Sequence, residues 1–218
     1  MPRSEPVKVV GLGAGGHAKV VIDALNRRGG HHIVGLLDSS PSLVGRTVMG
    51  LQVLGGEELL AGLGARGVRS VFIGVGGASD NVVRQGVYLR AIAAGLEVIR
   101  VVHPSAVVSE SAFIGAGTVV FAGAVVNADA KIAENVIVNT GAIVEHDCEI
   151  DPHAHVAPGA ILSGGAIVGA CTLVGAGAVV RHGIRIGHGC VIGAGAVVVR
   201  DLQDGCIVVG VSARMKRK

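Results

Sequence analysis

The sequence contains almost no aromatic residues. Tryptophan is absent, and one tyrosine and three phenylalanines are the only large aromatic side chains among 218 residues. Proteins that bind single-stranded nucleic acid stack bases on such rings, and this chain offers almost none. The net charge of +3 is small, and the basic residues are scattered except for the terminal stretch RMKRK. We therefore expect no nucleic-acid partner.

Long apolar runs and CxxC pairs are also missing. Glycine, serine, asparagine or a charge interrupts every apolar run before it reaches the roughly 18 residues that a membrane span needs. The N-terminal residues MPRSEP lack the apolar core of a signal peptide. The four cysteines are expected to be reduced thiols. Since half of the residues are apolar, the sequence predicts a soluble, cytoplasmic globular protein with no membrane partner.

Glycine and small aliphatic residues are abundant and recur with a period of six. From Val101 onward the chain can be written as seventeen hexads without an insertion, from VVHPSA to VVVRDL. The second place of every hexad is Val, Ile or Leu, and the sixth is usually small or apolar. A helix would repeat about every 3.6 residues and an alternating strand every two. A strict period of six predicts a parallel β-helix, in which short strands and tight turns form stacked coils.

The repeat resembles that of the hexapeptide-repeat acyltransferases. That resemblance implies a left-handed β-helix with three hexads per coil, hence about six coils here. It also implies a homotrimer that binds acetyl-CoA between neighbouring subunits. The stretch FIGAGTVVFAGAVV, residues 113–126, points the same way, because a monomer would expose its small apolar outward residues as a patch.

Residues 1–100 follow a different pattern. VKVVGLG reads as a buried strand, HAKVVIDALNRRG as an amphipathic helix and HHIVGLLD as a second strand. A helix near residues 56–65, the strand SVFIGVG and a helix from about Asn81 to Ala94 complete a small α/β domain. The predicted organisation is a Rossmann-like βαβαβ domain over residues 1–100 and a left-handed parallel β-helix over residues 101–218, which ends in a short tail.

The sequence GLGAGG forms a GxGxxG motif between the first strand and the first helix. With Asp38 at the end of the second strand, the motif alone would indicate NAD. A domain of about 100 residues is only one mononucleotide-sized half, however, so an NAD-dependent dehydrogenase is the least favoured interpretation. A glycine loop at a helix N-terminus favours any diphosphate. Glycines that merely form a tight turn are the structural alternative.

The segment GAGGHAKVV resembles the N-terminal motif of the sialic acid O-acetyltransferase and the bacillosamine and perosamine N-acetyltransferase group. Members of this group bind a nucleotide-linked sugar at that motif. The stretch GGASDNVVR is a few residues longer than the corresponding family segment. The resemblance implies that the following residues bind the substrate: Gly15, Gly16, His17, Asp38, Ser39, Gly76 and Arg84.

Three ionisable residues, Glu145, His146 and Asp147, interrupt the monotonous repeat. In the hexad IVEHDC the inward places belong to Val144 and Cys148, so the three ionisable side chains face outward. Acetyl transfer to an amine or hydroxyl needs a base that accepts a proton near pH 7, and an adjacent carboxylate can fix the tautomer of an imidazole. EHDC resembles the EHEC of the family, which implies His146 as general base and Asp147 as its orienting partner. A solvated surface histidine is the alternative.

Position 164 lies one coil beyond His146, and residues so related stack about 4.8 Å apart. Gly164 would leave room for a thioester beside the imidazole and would offer an N–H to the developing oxyanion. An ordinary turn glycine is the alternative at this position. By resemblance, acetyl-CoA lies along the coils C-terminal to the base and contacts His155, Ala176 and His188, while Asn139 lines the acceptor side.

These observations predict an acetyl-CoA-dependent N-acetyltransferase that acts on a nucleotide-linked amino sugar of the 4-amino-4,6-dideoxyhexose type. Attack would be direct, and no metal is expected. O-acetylation of a sialic acid or related sugar is the first alternative, and a non-catalytic β-helix binding protein is the second. The sequence leaves open the nucleotide base, whether UDP, GDP or CMP, as well as the sugar stereochemistry and the pathway.

Overall fold

The computed structural model describes residues 5–77 and 81–211 and the backbone of residues 214–215. The N-terminal part is a six-stranded sheet in the order β3-β4-β2-β1-β5-β6, parallel except for the β3–β4 hairpin. It has the predicted Rossmann-like architecture, with β1 between β2 and β5. The elements are β1 (Val7–Leu12), α1 (Gly16–Arg28), β2 (His31–Leu37), β3 (Thr47–Val48), β4 (Leu51–Gly55), β5 (Ser70–Ile73), α2 (Val82–Ala93) and β6 (Glu97–Val98).

Two local features differ from the sequence prediction. The segment predicted as a helix near residues 56–65 forms two short 3₁₀ helices, Glu57–Gly62 and Gly64–Arg66. Its glycines lower the propensity for a continuous α-helix. The β3–β4 hairpin was not predicted, and its turn residues Met49 and Gly50 have φ angles of 47° and 80°. A further 3₁₀ helix spans Pro41–Leu43.

The remainder of the chain winds into the predicted left-handed β-helix. From β7 to β23, paired strands are parallel and eighteen residues apart, as Val125 and Ile143 are; β22 then pairs in parallel with β24 at a spacing of sixteen residues, and β24 pairs with β25 in antiparallel. The strands are β7 (Val101–Val102), β8 (Val107–Val108), β9 (Phe113–Ile114), β10 (Val119–Val120), β11 (Val125–Val126), β12 (Lys131–Ile132), β13 (Ile137–Val138), β14 (Ile143–Val144), β15 (Glu149–Ile150), β16 (His155–Val156), β17 (Ile161–Leu162), β18 (Ile167–Val168), β19 (Leu173–Val174), β20 (Val179–Val180), β21 (Arg185–Ile186), β22 (Val191–Ile192), β23 (Val197–Val198), β24 (Ile207–Val209) and β25 (Arg214–Met215).

The strands form three sheets that are the faces of a triangular prism. The first face runs from β7 through β10 and every third strand to β22, followed by β24 and β25; the second runs from β8 to β23; the third runs from β9 to β21. We call the turns from the first to the second face the first edge, those from the second to the third face the second edge, and those from the third back to the first face the third edge. The core contains the second and sixth residues of the hexads, such as Val144 and Cys148, which are fully buried. Each fully buried Val, Ile or Leu side chain contributes about 1.5–3 kcal/mol.

The N-terminal domain packs on the first face of the prism. Val119 and Phe121, each 1% exposed, belong to the same buried cluster as Val21 and Leu25 of α1. This contact covers part of the apolar segment 113–126 from which we predicted a trimer, although Phe113 remains 61% exposed. Exposure of this segment is therefore not sufficient to support the predicted trimer. No helix in the described part of the chain is long and apolar enough to cross a membrane.

Candidate active site

The predicted base and its carboxylate partner lie together on the second edge. His146 and Asp147 form the turn between β14 and β15. Asp147 has a left-handed backbone with a φ of 59°, a conformation that Asp adopts more readily than most residues with a Cβ. From this position its Oδ2 accepts a hydrogen bond from His146 Nδ1 over 2.7 Å. The carboxylate of Asp is therefore long enough to orient the imidazole.

The hydrogen bond determines which nitrogen of His146 can act as a base. Because an ionised carboxylate can only accept, Nδ1 carries the proton and the lone pair of Nε2 stays free in the neutral ring. The hydrogen bond with Asp147 raises the pKa of His146, and the negative charges of Asp147 and Glu145 act in the same direction. The side chains of the pair are 56% and 64% exposed. The Nε2 atom is thus accessible to a ligand at this edge.

Gly164 lies one coil beyond His146 and directly beside its imidazole. A Cβ added to Gly164 would lie 2.6 Å from both Nε2 and Cε1 of His146. The room that we predicted for a thioester is therefore occupied by the imidazole. Within residues 5–77 and 81–211, the N–H of Gly164 donates to no backbone carbonyl, whereas that of Gly165 donates to His146 O over 2.9 Å. The Gly164 N–H can still bind an oxyanion.

Two further residues lie near the base: a histidine that the sequence analysis did not single out, and the cysteine at the inward place of the same hexad. His182 lies two coils beyond His146 on the second edge, with its ring centroid 6.4 Å from that of His146. Cys148 is buried next to Asp147, and its Sγ donates to Ser163 O over 3.3 Å. Burial raises the pKa of this thiol to about 11, so Cys148 is no nucleophile. Among the described residues, no group of three His, Cys, Asp or Glu side chains could hold a metal ion.

A cleft of about 510 Å³ lies between the N-terminal domain and the first face of the prism. It brings together the start of α1, the segment after β5 and three coils of the β-helix. Four of the residues predicted to bind the substrate are part of its wall: Gly16, His17, Gly76 and Asn139. The other lining residues are Val20, Gly77, Phe121 and His155. His155, which we predicted to contact acetyl-CoA, thus lies with the substrate residues.

The glycines of the GLGAGG loop divide into two groups. A Cβ at Gly11 would collide with the Phe72 ring, and one at Gly13 would lie 2.8 Å from backbone atoms of Gly74. At Gly15 and Gly16, by contrast, a Cβ would meet no atom within 4 Å. Helix α1 also has no side-chain N-cap and no acidic residue in its first turn, so its first N–H groups can bind an anion. Packing within the chain does not explain Gly15 and Gly16.

Asp38 organises the glycine loop. Its Oδ2 accepts a hydrogen bond from Ala14 N over 2.8 Å, and its Oδ1 accepts one from Ser40 N over 2.9 Å. Ser39 is exposed beside it. Asp38, Ser39 and Gly15 are not part of the cleft wall, but the hydrogen bond from Ala14 ties the end of β2 to the loop that precedes α1.

Arg84 does not face the cleft, contrary to our expectation that it contacts the substrate. Its side chain is fully buried. The guanidinium donates to Val75 O over 2.7 Å and to Gly117 O over 3.2 Å. The first turn of α2 packs against the β-helix, so this side chain is used in joining the two domains. Direct contact with a ligand would require the domains to separate.

The residues predicted to contact acetyl-CoA do not come together within one chain. Gly164 is on the second edge with His146, whereas Ala176 is on the first edge, two coils beyond Asn139. His188 is on the third edge, where its N–H donates to Asp204 Oδ1 over 2.9 Å. The base of a single chain thus lies on the second edge, whereas its cleft lies over the first face.

Phe121 is the main cleft residue that the sequence analysis missed. Its ring lies under His17, with the two ring centroids 5.3 Å apart. The sequence carries a signal for it, because Phe121 is a bulky aromatic residue in the hexad VVFAGA of an otherwise small-residue repeat. Its proximity to His17 depends on the docking of the N-terminal domain, which the hexad pattern does not specify.

Two family models match the chain. The PglD N-terminal domain matches residues 8–91, and the bacterial transferase hexapeptide (six repeats) matches residues 165–200. A sequence comparison with curated proteins found no match. The fold and the site thus define a hexapeptide-repeat transferase with a PglD-type N-terminal domain.

Three solved structures are similar to this chain along most of its length. PerB from Caulobacter crescentus, solved with CoA and GDP-perosamine, is 40% identical over 96% of this chain and 97% of that chain, with a TM-score of 0.90. The acetyltransferase domain of PglB from Neisseria gonorrhoeae, solved with acetyl coenzyme A, is 37% identical over 97% of this chain and 100% of that chain, with a TM-score of 0.88. WeeI from Acinetobacter baumannii, at 20% identity over 96% of this chain and 100% of that chain and a TM-score of 0.64, shares the fold. The chain belongs to the hexapeptide-repeat acetyltransferase family and is an acyltransferase.

Proposed function

We propose that the protein is an acetyl-CoA-dependent N-acetyltransferase that acts on a nucleotide-linked amino sugar of the 4-amino-4,6-dideoxyhexose type. The observation that carries this proposal is the His146–Asp147 hydrogen bond of 2.7 Å on an exposed edge, beside Gly164, whose N–H has no backbone acceptor among the described residues. The relatives support the substrate class, since PerB was solved with CoA and GDP-perosamine and the PglB domain with acetyl coenzyme A.

In the proposed reaction, Nε2 of His146 accepts a proton from the acceptor amine as the amine nitrogen attacks the thioester carbonyl carbon. A C–N bond forms and the C–S bond breaks, and the departing CoA thiolate receives the proton from the imidazolium. Asp147 stabilises the imidazolium between the two proton transfers. The N–H of Gly164 donates to the oxyanion on the carbonyl. No acyl-enzyme forms, in keeping with the raised pKa of Cys148.

The cleft is the proposed site for the nucleotide-linked sugar. Gly15 and Gly16 leave open space at the start of α1, where a diphosphate can approach the helix N-terminus closely. His17 and Asn139 supply polar atoms in the wall of the cleft. Asp38 holds the loop in shape through its bond from Ala14. In this proposal the N-terminal domain binds the sugar nucleotide, and the β-helix supplies the base.

A homotrimer is part of this proposal. Within one chain His146 lies on the second edge, whereas the cleft lies over the first face. A neighbouring chain that packs its second edge against the cleft would bring its own base to the bound sugar, and acetyl-CoA would bind between the two chains. The cytoplasmic location expected from the sequence is also part of the proposal.

The test is a substrate panel. The purified protein is incubated with acetyl-CoA and a set of UDP-, GDP- and CMP-linked sugars, with and without a 4-amino group, and the products are identified by mass spectrometry. We expect a gain of one acetyl group only on the amino sugars. Acetylation of sugars that carry hydroxyls but no amine would indicate the O-acetyltransferase instead. Binding of acetyl-CoA without turnover on any acceptor would indicate the non-catalytic alternative.

A further inference from the structure

Arg84 is a buried cation that joins three parts of the molecule. It projects from the first turn of α2 and is 0% exposed. Besides Val75 O and Gly117 O, its guanidinium donates to Ile73 O over 3.3 Å and to Asn135 O over 3.3 Å. The acceptors belong to the end of β5 and to two coils of the β-helix. Burying a guanidinium is unfavourable unless its donors are satisfied, so this arrangement holds these segments in one relative position.

The same guanidinium determines the protonation of His17. Nη1 of Arg84 lies 3.3 Å from Nε2 of His17. The two hydrogens of Nη1 serve three acceptors: one is donated to Val75 O over 2.7 Å, and the other is shared between Ile73 O and His17 Nε2, each at 3.3 Å. Because a guanidinium can only donate, Nε2 must be the acceptor, and the single ring proton of His17 must be on Nδ1. Burial lowers the pKa of His17 to about 3, and the charge of Arg84 acts in the same direction. His17 is therefore neutral, with a defined tautomer.

The protonated nitrogen of His17 faces the region of the cleft next to Gly76. A Cβ added to Gly76 would lie 3.4 Å from Nδ1 of His17, so the missing side chain keeps this nitrogen accessible. Within residues 5–77 and 81–211, Nδ1 of His17 has no hydrogen-bond acceptor. Among the described residues, the Nδ1–H is thus a donor in the wall of the cleft that has no acceptor.

His155 and Asn139 are oriented by the same reasoning. Nδ1 of His155 lies 2.9 Å from Gly77 O, a carbonyl that can only accept, so the proton of His155 is on Nδ1. Its Nε2 then accepts from Asn139 Nδ2 over 3.1 Å. Asn139 Oδ1 accepts from Thr140 N over 2.8 Å. One hydrogen on Asn139 Nδ2 remains available to donate to a ligand. Neither the His17 ring nor the His155 ring has a nitrogen left to accept a hydrogen bond from that ligand.

We propose that Arg84 is a positioning residue, which fixes His17 as the Nδ1–H tautomer so that the cleft presents N–H donors to the oxygen atoms of its ligand. A diphosphate or a sugar hydroxyl acting as acceptor fits such a wall, whereas a ligand group that can only donate does not. The inference rests on the proposed function for the identity of the ligand. The tautomer and the contact of Arg84 with His17 do not depend on it.

The tautomer of His17 can be measured without any substrate. Protein labelled with ¹⁵N-histidine is studied by long-range ¹H–¹⁵N correlation NMR, and the His17 signals are assigned by their loss in His17→Asn. We expect Nδ1 of His17 protonated and Nε2 unprotonated in the wild-type protein. A wild-type His17 protonated on Nε2 would overturn the proposal.

Variants of Arg84 test the positioning role. Arg84→Met removes the donor, and we expect His17 to populate the other tautomer and the affinity for GDP and UDP, measured by calorimetry, to fall at least tenfold. Arg84→Lys keeps a donor and should restore part of both properties. If the Met variant does not fold, the Lys variant and the wild-type spectrum still decide. Arg90→Met is the matched control, since Arg90 is an exposed residue of α2 that pairs with Glu57.

The kinetic readout separates positioning from general loss of structure. On an acceptor identified by the panel, Arg84→Lys should raise the KM for the sugar nucleotide several-fold while the KM for acetyl-CoA and the kcat stay within twofold of wild type. An unchanged tautomer together with unchanged nucleotide affinity in Arg84→Met would contradict the proposal. If the panel yields no product but the tautomer shifts as expected, the proposed function fails and the role of Arg84 stands.

Discussion

At the scale of single residues, the turn that holds His146 and Asp147 carries the proposed general base. His146→Ala should lower kcat by roughly 10² to 10⁴, the range expected for loss of a general base. Asp147→Asn should cause a smaller loss, because the imidazole remains. Release of free CoA thiol measures both rates. His32→Ala, an exposed histidine of β2, is the control, and near-normal turnover in His146→Ala would remove this residue from the mechanism.

The pH dependence of the rate gives a second test of the same pair. Hydrogen bonding to Asp147 raises the pKa of His146, and only the neutral imidazole can accept a proton. Activity should therefore increase with pH through this raised pKa. Asp147→Asn removes the negative charge, so the pKa should fall and the acidic limb of the kcat profile should shift to lower pH. An acidic limb at the same pH in both proteins would show that another group controls it.

Gly164 makes the position of the base testable without altering the base. A Cβ here would lie 2.6 Å from the His146 imidazole, so Gly164→Ala should displace the ring and lower kcat at least tenfold. The thermal midpoint should change little, because the crowded atoms belong to an exposed side chain. Gly64→Ala is the control, since a Cβ there meets no atom within 4 Å. Equal effects of the two substitutions on kcat would contradict the proposed geometry.

At the scale of elements, the start of α1 is the proposed diphosphate site. The open space at Gly16 means that Gly16→Val should fold normally and yet crowd a ligand at the helix N-terminus. We expect the KM for the sugar nucleotide to rise at least tenfold and that for acetyl-CoA to stay within twofold. Gly62→Val, at another glycine with open surroundings, is the control. A matching loss for both substrates would mean that the division between the domains is wrong.

The hexads allowed the β-helix to be predicted because their physical origin is local. Every hexad directs its second and sixth residues into the core. Val144 and Cys148 could therefore be placed in the core, and His146 outside it, from the spacing alone. The stacking of Gly164 against His146 followed from the same spacing. The occupation of that space by the imidazole did not, because the side-chain direction depends on the hydrogen bond with Asp147.

The contacts between domains lay beyond the sequence pattern. Arg84 was predicted to bind substrate on the strength of a resemblance, yet it is buried against carbonyl oxygens of the β-helix. Likewise, His155 was placed with acetyl-CoA but lies in the cleft beside Asn139. Both outcomes depend on how α1 docks on the first face and α2 on the third edge, and no periodicity within either domain encodes that orientation.

At the scale of the whole molecule, we expect a homotrimer whose sites lie between chains. Light scattering should give a mass three times the 21.8 kDa of one chain.

A complementation experiment tests whether the site is shared between chains. His146→Ala chains keep the cleft, and Gly16→Val chains keep the base. Mixed trimers made by co-expression should regain activity at a sugar nucleotide concentration below the wild-type KM, because one interface in each joins an intact base to an intact cleft. Inactive mixed trimers would place the whole site within one chain.

The regular stacking of the coils fixes the distances between residues along the prism axis. The N-terminal domain is fixed to the first face near Val119 and Phe121, and the base is carried by a later coil, so the number of coils between them sets their axial offset in steps of about 4.8 Å. Coils added beyond β19 would leave that offset unchanged. Coils added between β11 and β14 would shift the base by one full step. If His146 is the base, inserted coils should preserve activity on the C-terminal side of the base and abolish it on the N-terminal side.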